Sequence, residues 1–150
     1  MTGNSTHPTL FQCFRQLHFT GKEKYREAAL RNGGWWLALD RFPETHASVP
    51  AALNYFLDLY RLTGDRRFLE KSGPYIEKVL ESQCLNPENR AAHGGFRGHD
   101  LAGEREKKIH TAGAMDYVSH RTTMYAMMAL AKIAARSEKE WNMAYSAFGW

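Results

Sequence analysis

The sequence predicts an all-α fold built from stacked helical hairpins. Apolar residues recur at helical spacing in one segment after another, and no segment shows the strict alternation of a strand. The chain also repeats itself: residues 17–25 return 43 positions later as residues 60–68, each with an apolar anchor, Thr-Gly, three polar residues and an aromatic residue. A looser third copy covers residues 130–141. A repeat of this length is typical of stacked units that cannot bury their apolar faces alone.

The first hairpin is predicted to begin near Pro8, since proline is favoured in the first turn of a helix. Its apolar residues follow at helical spacing: Leu10, Phe11, Phe14 and Leu17. Gly21 should end this helix, and Thr20 with Glu23 predicts a capping box for the next one. The second helix has an apolar side formed by Tyr25, Ala28, Ala29, Trp35, Trp36 and Leu39. Its adjacent Gly33 and Gly34 suggest the close approach of another backbone.

The second hairpin copies the first. Pro50 should open a helix with an apolar face of Ala52, Tyr55, Phe56, Leu59 and Leu62 and a polar face of Asn54, Asp58 and Arg61. Gly64 suits the position after this helix, and Asp65 suits the N-cap of its partner. The partner helix carries Phe68, Leu69, Tyr75, Ile76, Val79 and Leu80. We expect Ser72, Gly73 and Pro74 to kink or restart it.

The third unit departs from this pattern. Residues 86–116 are predicted to form a long loop rich in Gly and His, far above the usual connection of about 4–6 residues. Residues 124–135 are almost continuously apolar, with Lys132 as the interruption, so we expect a helix buried on both sides. Ser137 and Glu140 form a second capping box, which should open a last helix.

The third copy also predicts how much of the fold is present. It stops at Gly149 and Trp150, whereas the first copy continues beyond Gly34 and Trp35 into further apolar sequence. We therefore expect residues 1–150 to form one α/α-hairpin domain that is a fragment, truncated at its C-terminus. Its open edge should expose apolar surface and lead to self-association and loss of activity.

Composition limits the classes of partner. The chain is 43% hydrophobic and 24% charged, an ordinary globular balance. Its net charge of +4 is spread among acidic residues, which disfavours a nucleic-acid-binding face. There is no signal-peptide pattern and no membrane-length apolar run, so we expect a cytoplasmic chain with no membrane partner. Cys13 and Cys84 have no metal-like spacing and are expected to be small buried residues rather than a disulfide.

These features resemble the α/α-toroid enzyme clan. The resemblance rests on the turn at residues 60–69, on residues 80–83 leading to Gly94, Gly95 and Phe96, and on the buried helix from Tyr125, and it covers most of residues 8–150. The clan includes six-hairpin glycosidases, toroidal polysaccharide lyases, acylglucosamine-type epimerases and squalene-cyclase-like proteins. The resemblance implies about half of an (α/α)6 toroid, in which the helix before each turn lies inside and the helix after it lies outside.

The resemblance also implies a function, namely a carbohydrate-active enzyme of the glycoside hydrolase, polysaccharide lyase or sugar epimerase type, or a fragment of one. A hydrolase normally uses a pair of carboxylates, which the sequence does not identify, so a lyase or epimerase fits better. The first alternative is a terpenoid-cyclase-like protein, because Gln83 followed by Gly94, Gly95 and Phe96 faintly resembles the Gln/Gly/aromatic repeat of that branch. The chain lacks the Asp-Asp pair that such cyclases use. The second alternative is a non-catalytic helical-repeat binding module.

The densest set of reactive side chains is predicted to be catalytic: Asp116, Tyr117, His120 and Arg121. The Asp, Tyr and His could transfer protons, and the Arg could clamp a carboxylate or sulfate. In the structural alternative Ser119 caps the helix and Arg121 pairs with Asp116.

A second set is expected to bind a carbohydrate substrate: His46, Phe96, Arg97, His99 and Asp100. His7, His46 and His120 each precede a predicted inner helix, whose N-terminus favours anions. Trp35 and Trp36 could stack on sugar rings, although core packing is the commoner role for such residues. A metal site would draw on His93, His99, Asp100 and His110, but no helix-spaced histidine pair supports it. We therefore expect neither a metal nor a cofactor.

Overall fold

The computed structural model describes residues 16–17, 20–42, 48–97, 118 and 120–146. Over these residues the chain forms five helices: α1 (Glu23–Ala38), α2 (Ser48–Thr63), α3 (Arg66–Glu81), α4 (His120–Ala134) and α5 (Glu138–Ser146). The described part contains two isolated β-bridges and no strand. The all-α prediction is therefore confirmed. Most of the predicted helix from Pro8 lies outside the described residues.

The two Thr-Gly turns have the same backbone geometry. Gly21 and Gly64 adopt positive φ angles of 62° and 69°, a conformation that glycine reaches without steric cost. The Gly21 N–H donates to the Leu17 carbonyl at 2.8 Å, and the Gly64 N–H donates to the Tyr60 carbonyl at 2.7 Å. Each glycine therefore closes the last turn of the helix before it, as expected of a helix C-terminus.

The threonines of these turns are equivalent as well. The Thr20 hydroxyl donates to the Gln16 carbonyl, and the Thr63 hydroxyl donates to the Leu59 carbonyl, both at 2.7 Å. Each hydroxyl also accepts from the backbone N–H two residues later. The repeat in the sequence is therefore a repeat of hydrogen bonds.

Of the two predicted N-caps that follow the Thr-Gly turns, one forms and the other does not. Asp65 caps α3, because its Oδ1 accepts from the Arg67 backbone N–H at 3.0 Å. The predicted box of Thr20 with Glu23 is wrong: α1 has Lys22 as its N-cap, with no side-chain capping bond. The Thr20 hydroxyl is occupied by its own turn, which explains the difference.

The C-terminal capping box forms in a slightly altered version. Ser137 Oγ accepts from the Glu140 N–H at 3.2 Å, and the Glu140 carboxylate reaches back to the Arg136 N–H at 2.7 Å. Of the expected kink or restart at Pro74, the restart is wrong, since α3 runs as one helix from Arg66 to Glu81.

Helices α2 and α3 form an antiparallel pair with α1 packed across them. The Phe56 and Tyr75 rings meet at 5.0 Å across the α2–α3 pair. A Cβ atom added to Gly33 of α1 would lie 2.8 Å from Leu59 Cδ1 and 3.2 Å from Phe68 Cζ. Gly33 therefore admits two side chains, rather than the backbone that its sequence suggested, while Gly34 has no atom within 4 Å of its added Cβ.

Helix α4 runs beside α2 in the same direction. Asn54 of α2 contacts Tyr125 of α4, and Asp58 contacts Lys132, so the contacts advance together along both helices. Because Asn54 and Tyr125 lie at similar distances from the starts of their helices, Ser48 and His120, the two N-terminal ends lie at the same end of the α2–α4 pair.

The core collects residues from α1 to α4 and from the segment before α4. Its fully buried apolar side chains include Ala29, Leu53, Phe56, Leu59, Phe96, Ala126 and Ala129. The expectation that α4 is buried on both sides is wrong, because Met127 and Ile133 each expose 43% of their surface. Cys84 is buried as predicted, while Cys13 lies outside the described residues. None of the described helices has the length and apolar character needed to cross a membrane.

Candidate functional site

Residues 82–97, which include the described part of the predicted long loop (86–97), close into a compact turn. Gln83 and Phe96 form an antiparallel bridge. Cys84 exchanges backbone hydrogen bonds with Gly94 and Gly95, each at 2.7 Å. The Gln83 side-chain amide donates to the Gly94 carbonyl at 3.1 Å. The Gln, Gly and aromatic residues of this segment therefore act as one structural unit.

This turn is attached to the first turns of α4. The Phe96 N–H donates to Thr123 Oγ1 at 3.0 Å, and Arg97 forms an antiparallel bridge with Val118. A Cβ atom on Gly95 would lie 2.4 Å from Val118 Cγ1, so only glycine fits at this contact. As a result, Arg97 lies beside the N-terminal end of α4.

Four of the nine predicted site residues fall in the described part of the chain: Phe96, Arg97, His120 and Arg121. His120 and Arg121 form the exposed start of α4, and the Arg121 guanidinium lies 6.0 Å from the Tyr125 ring. Arg97 is half-buried, and its Nε has no hydrogen-bond partner among the described residues. Phe96 is fully buried, so its ring packs in the core and offers no open face to a sugar.

The other five predicted site residues, His46, His99, Asp100, Asp116 and Tyr117, lie outside the described residues. The same is true of His7, His110 and Ser119. His93 is described and exposed. Within the described ranges no group of three His, Cys, Asp or Glu side chains could hold a metal ion.

A buried ion pair between α2 and α4 was missed by the sequence analysis. Lys132 Nζ lies 2.8 Å from Asp58 Oδ2, with side chains that are 0% and 3% exposed. Burial lowers the pKa of Lys132, and the attraction of Asp58 opposes this shift. The available signals were the single charged residue within an apolar helix and an acidic residue on the polar face of α2.

Aromatic and charged groups cover this pair at the α5 side. The Lys132 ammonium lies 5.7 Å from the centre of the Trp141 ring, and the Arg61 guanidinium lies 4.9 Å from the same ring. Arg61 also contacts Glu138 at 3.5 Å. Because Lys132 is enclosed, the pair is suited to joining helices rather than to acting on a substrate.

A shallow groove of about 670 Å³ lies elsewhere, between α1 and α3. It is lined by Gly34, Leu37, Ala38, Arg67, Glu70, Lys71 and Pro74. Both cationic residues of its lining are already engaged: Arg67 pairs with Asp65 at 2.7 Å, and Lys71 donates to the Leu39 carbonyl. It contains none of the predicted site residues, so we place the candidate site at the N-terminal end of α4 instead.

The adjacent residues Trp35 and Trp36 of α1 differ in their exposure to solvent. Trp35 exposes 61% of its surface, whereas Trp36 packs edge-on against Tyr55 and Phe56. Trp36 therefore has the core role, and Trp35 remains the ring that a ligand could contact.

Comparison of the chain with models of protein families, with curated proteins and with solved structures finds no match.

Proposed function

We propose that this chain is a carbohydrate-active enzyme of the α/α-toroid type, or a part of one, with its site at the N-terminal end of α4. The observation that carries this proposal is the gathering of Arg97, His120 and Arg121 around one helix N-terminus. The parallel course of α2 and α4 supports it, because inner helices of a ring of hairpins share one direction.

The chemistry of this end favours an acidic sugar. Two guanidinium groups and the positive end of the α4 dipole would attract a carboxylate, and an arginine can bind it in a bidentate manner. A uronic acid is therefore the substrate class that we propose. Arg121 is the more accessible of the two arginines, so we assign it the direct contact with the carboxylate.

The reaction type that fits these groups is elimination or epimerisation. Both begin with removal of the proton on the carbon next to the uronate carboxylate, and a cation on that carboxylate stabilises the negative charge that develops. His120 would transfer this proton, because an imidazole side chain can both accept and donate a proton. In an elimination the carbon–oxygen bond then breaks and the departing oxygen takes up a proton, for which Asp116 and Tyr117 are the proposed donors.

Binding tests the proposal without requiring a complete ring. We expect the chain to bind a uronate oligosaccharide by isothermal titration calorimetry and to bind its neutral counterpart much more weakly. Arg121→Ala should weaken uronate binding about tenfold or more, because a hydrogen bond to a charged group contributes about 1.5–3 kcal/mol. Arg66→Ala, which removes an exposed arginine at the other end of the hairpin, is the matched control. Equal affinities for the charged and neutral sugars would refute the proposal.

One observation favours the terpenoid-cyclase-like alternative. The hydrogen bond from Gln83 to Gly94 joins the Gln and Gly positions of the motif in a single turn. An isoprenoid ligand that binds this chain in preference to the uronate would support that alternative. Binding to a peptide partner with no affinity for either small molecule would instead support the helical-repeat module.

A further inference from the structure

The seam between α2 and α4 holds two buried oxygen atoms with no hydrogen-bond partner among the described residues. They are Asn54 Oδ1 and Asp58 Oδ1, on residues that are 0% and 4% exposed. The two residues are four positions apart on one helix, so their Cβ atoms are about 5–6 Å apart on the same face. Both oxygens therefore belong to the same buried face of α2, and both need a donor.

The orientation of the Asn54 amide is determined by its neighbours. Its Nδ2 donates to the Pro50 carbonyl and to the Tyr125 carbonyl, each at 2.8 Å. Rotating the amide by half a turn would bring Oδ1 against two acceptors, which is unfavourable. Oδ1 is thus an acceptor that faces away from both carbonyls and needs a donor of its own.

Asp58 presents the same requirement one helical turn later. Its Oδ2 accepts from Lys132 Nζ at 2.8 Å, whereas Oδ1 receives no donor from the described residues. Between the two contact points on the buried side of α4 lie Ala126 and Ala129, whose methyl groups cannot donate. Buried polar groups of folded proteins are almost always satisfied by protein or by ordered water.

We infer that one water molecule occupies the seam and donates a hydrogen bond to Asn54 Oδ1 and another to Asp58 Oδ1. Water carries two donors, which matches the two acceptors. A metal cation would also suit oxygen ligands, but the Lys132 ammonium already provides the positive charge beside this carboxylate. A second cation there would be repelled.

A crystal structure of the 150-residue chain at a resolution that shows ordered water tests the inference directly. We expect one density peak within hydrogen-bonding distance of both oxygens. Two results would overturn the inference: protein donors bound to both oxygens with no density between them, or an anomalous peak in the seam after a thallium(I) soak, which would identify a cation site.

Solution NMR provides a second test with a control within the same chain. Asn32 on the exposed side of α1 makes the equivalent side-chain bond to the Ala28 carbonyl at 3.0 Å, but it faces solvent. We expect the Asn54 side-chain amide to show cross-relaxation with a slowly exchanging water, and the Asn32 amide to contact fast-exchanging water alone. An Asn32→Leu variant should keep the slow water signal at the Asn54 amide. If both amides of the wild-type chain see fast-exchanging water, the site does not exist.

Discussion

Lys132 interrupts an apolar helix at a fully buried position, and its ammonium is held there by Asp58, 74 residues earlier in the chain. Desolvating two charges is costly, and their mutual attraction offsets this cost while both partners are present. Each residue therefore depends on the other. Losing one should be far more damaging than losing both.

The first prediction follows from this dependence. Lys132→Met should lower the free energy of unfolding by about 3–5 kcal/mol, because it leaves Asp58 buried without a counter-charge. An Asp58→Leu/Lys132→Met double variant should regain most of that loss, since no charge then remains in the seam. Urea denaturation measures both values.

A matched control for this prediction is available on α3. Lys78 pairs with Glu81 at 2.7 Å, but their side chains are 51% and 62% exposed. Lys78→Met should change the free energy of unfolding by no more than about 1 kcal/mol. Similar losses for the Lys132 and Lys78 variants would show that burial of the first pair is energetically unimportant.

The second prediction concerns pH. Burial lowers the pKa of Lys132 from 10.5, so between its folded value and 10.5 the unfolded chain binds more protons than the folded chain. Stability from this residue must then rise with pH across that window. Relative to the double variant, the wild-type chain should gain unfolding free energy as pH is raised towards 10.5. A difference that stays flat or falls would contradict the lowered pKa.

At the scale of the helices, Gly33 and Gly34 separate the effect of helix propensity from the effect of packing between helices. Both glycines lie inside α1, and both weaken an isolated helix by about 1 kcal/mol relative to alanine. At Gly33 the neighbouring Leu59 is itself fully buried and has little room to move. At Gly34 the space is open.

The third prediction uses this pair. Gly34→Ala should raise the free energy of unfolding by up to about 1 kcal/mol, because helix propensity improves without a clash. Gly33→Ala should lower it by about 1 kcal/mol or more, since overpacking outweighs the same gain in propensity. Thermal and urea denaturation measure the free energy of unfolding of both variants. If both substitutions stabilise the chain, α1 does not pack against Leu59 at Gly33.

The elements also show which features the sequence could predict. The Thr-Gly turns were predictable because a glycine after a helix and the threonine before it form their bonds within five residues. The bridge between Gln83 and Phe96 was missed, because it is too short to show strand alternation. The tie between Phe96 and Thr123 and the Asp58–Lys132 pair join residues far apart in sequence, so no local pattern could reveal them.

The sequence likewise predicted one part of the candidate site and missed another. Residue chemistry and the expected helix start pointed to His120 and Arg121, and both do begin α4. The burial of Phe96 was not foreseen, because it results from the attachment of the 82–97 turn to α4 rather than from the loop sequence. Phe96 thus fixes the position of Arg97 beside the start of α4.

In the described part of the molecule as a whole, apolar side chains of helices α4 and α5 remain exposed. Met127 of α4 exposes 43% of its surface and Met143 of α5 exposes 56%. The buried side of α4 packs against α2, whereas Met127 and Ala134 lie on the same exposed side of the helix, which carries His120 at its start and no Asp, Glu, Lys or Arg. Uncharged apolar surface of this kind favours association between copies of a chain.

The fourth prediction is that the 150-residue chain self-associates through this side of α4. Light scattering should give a mass that rises with protein concentration, and Met127→Lys should shift the equilibrium towards the monomer because burying an unpaired ammonium is unfavourable. Leu69→Lys is the matched control, since Leu69 of α3 is equally exposed, at 41%, on a different helix. Equal effects of the two lysines would indicate a general increase in solubility rather than a specific contact. A monomer at every concentration would show that the exposed side of α4 is simply tolerated, as scattered apolar side chains on a protein surface often are.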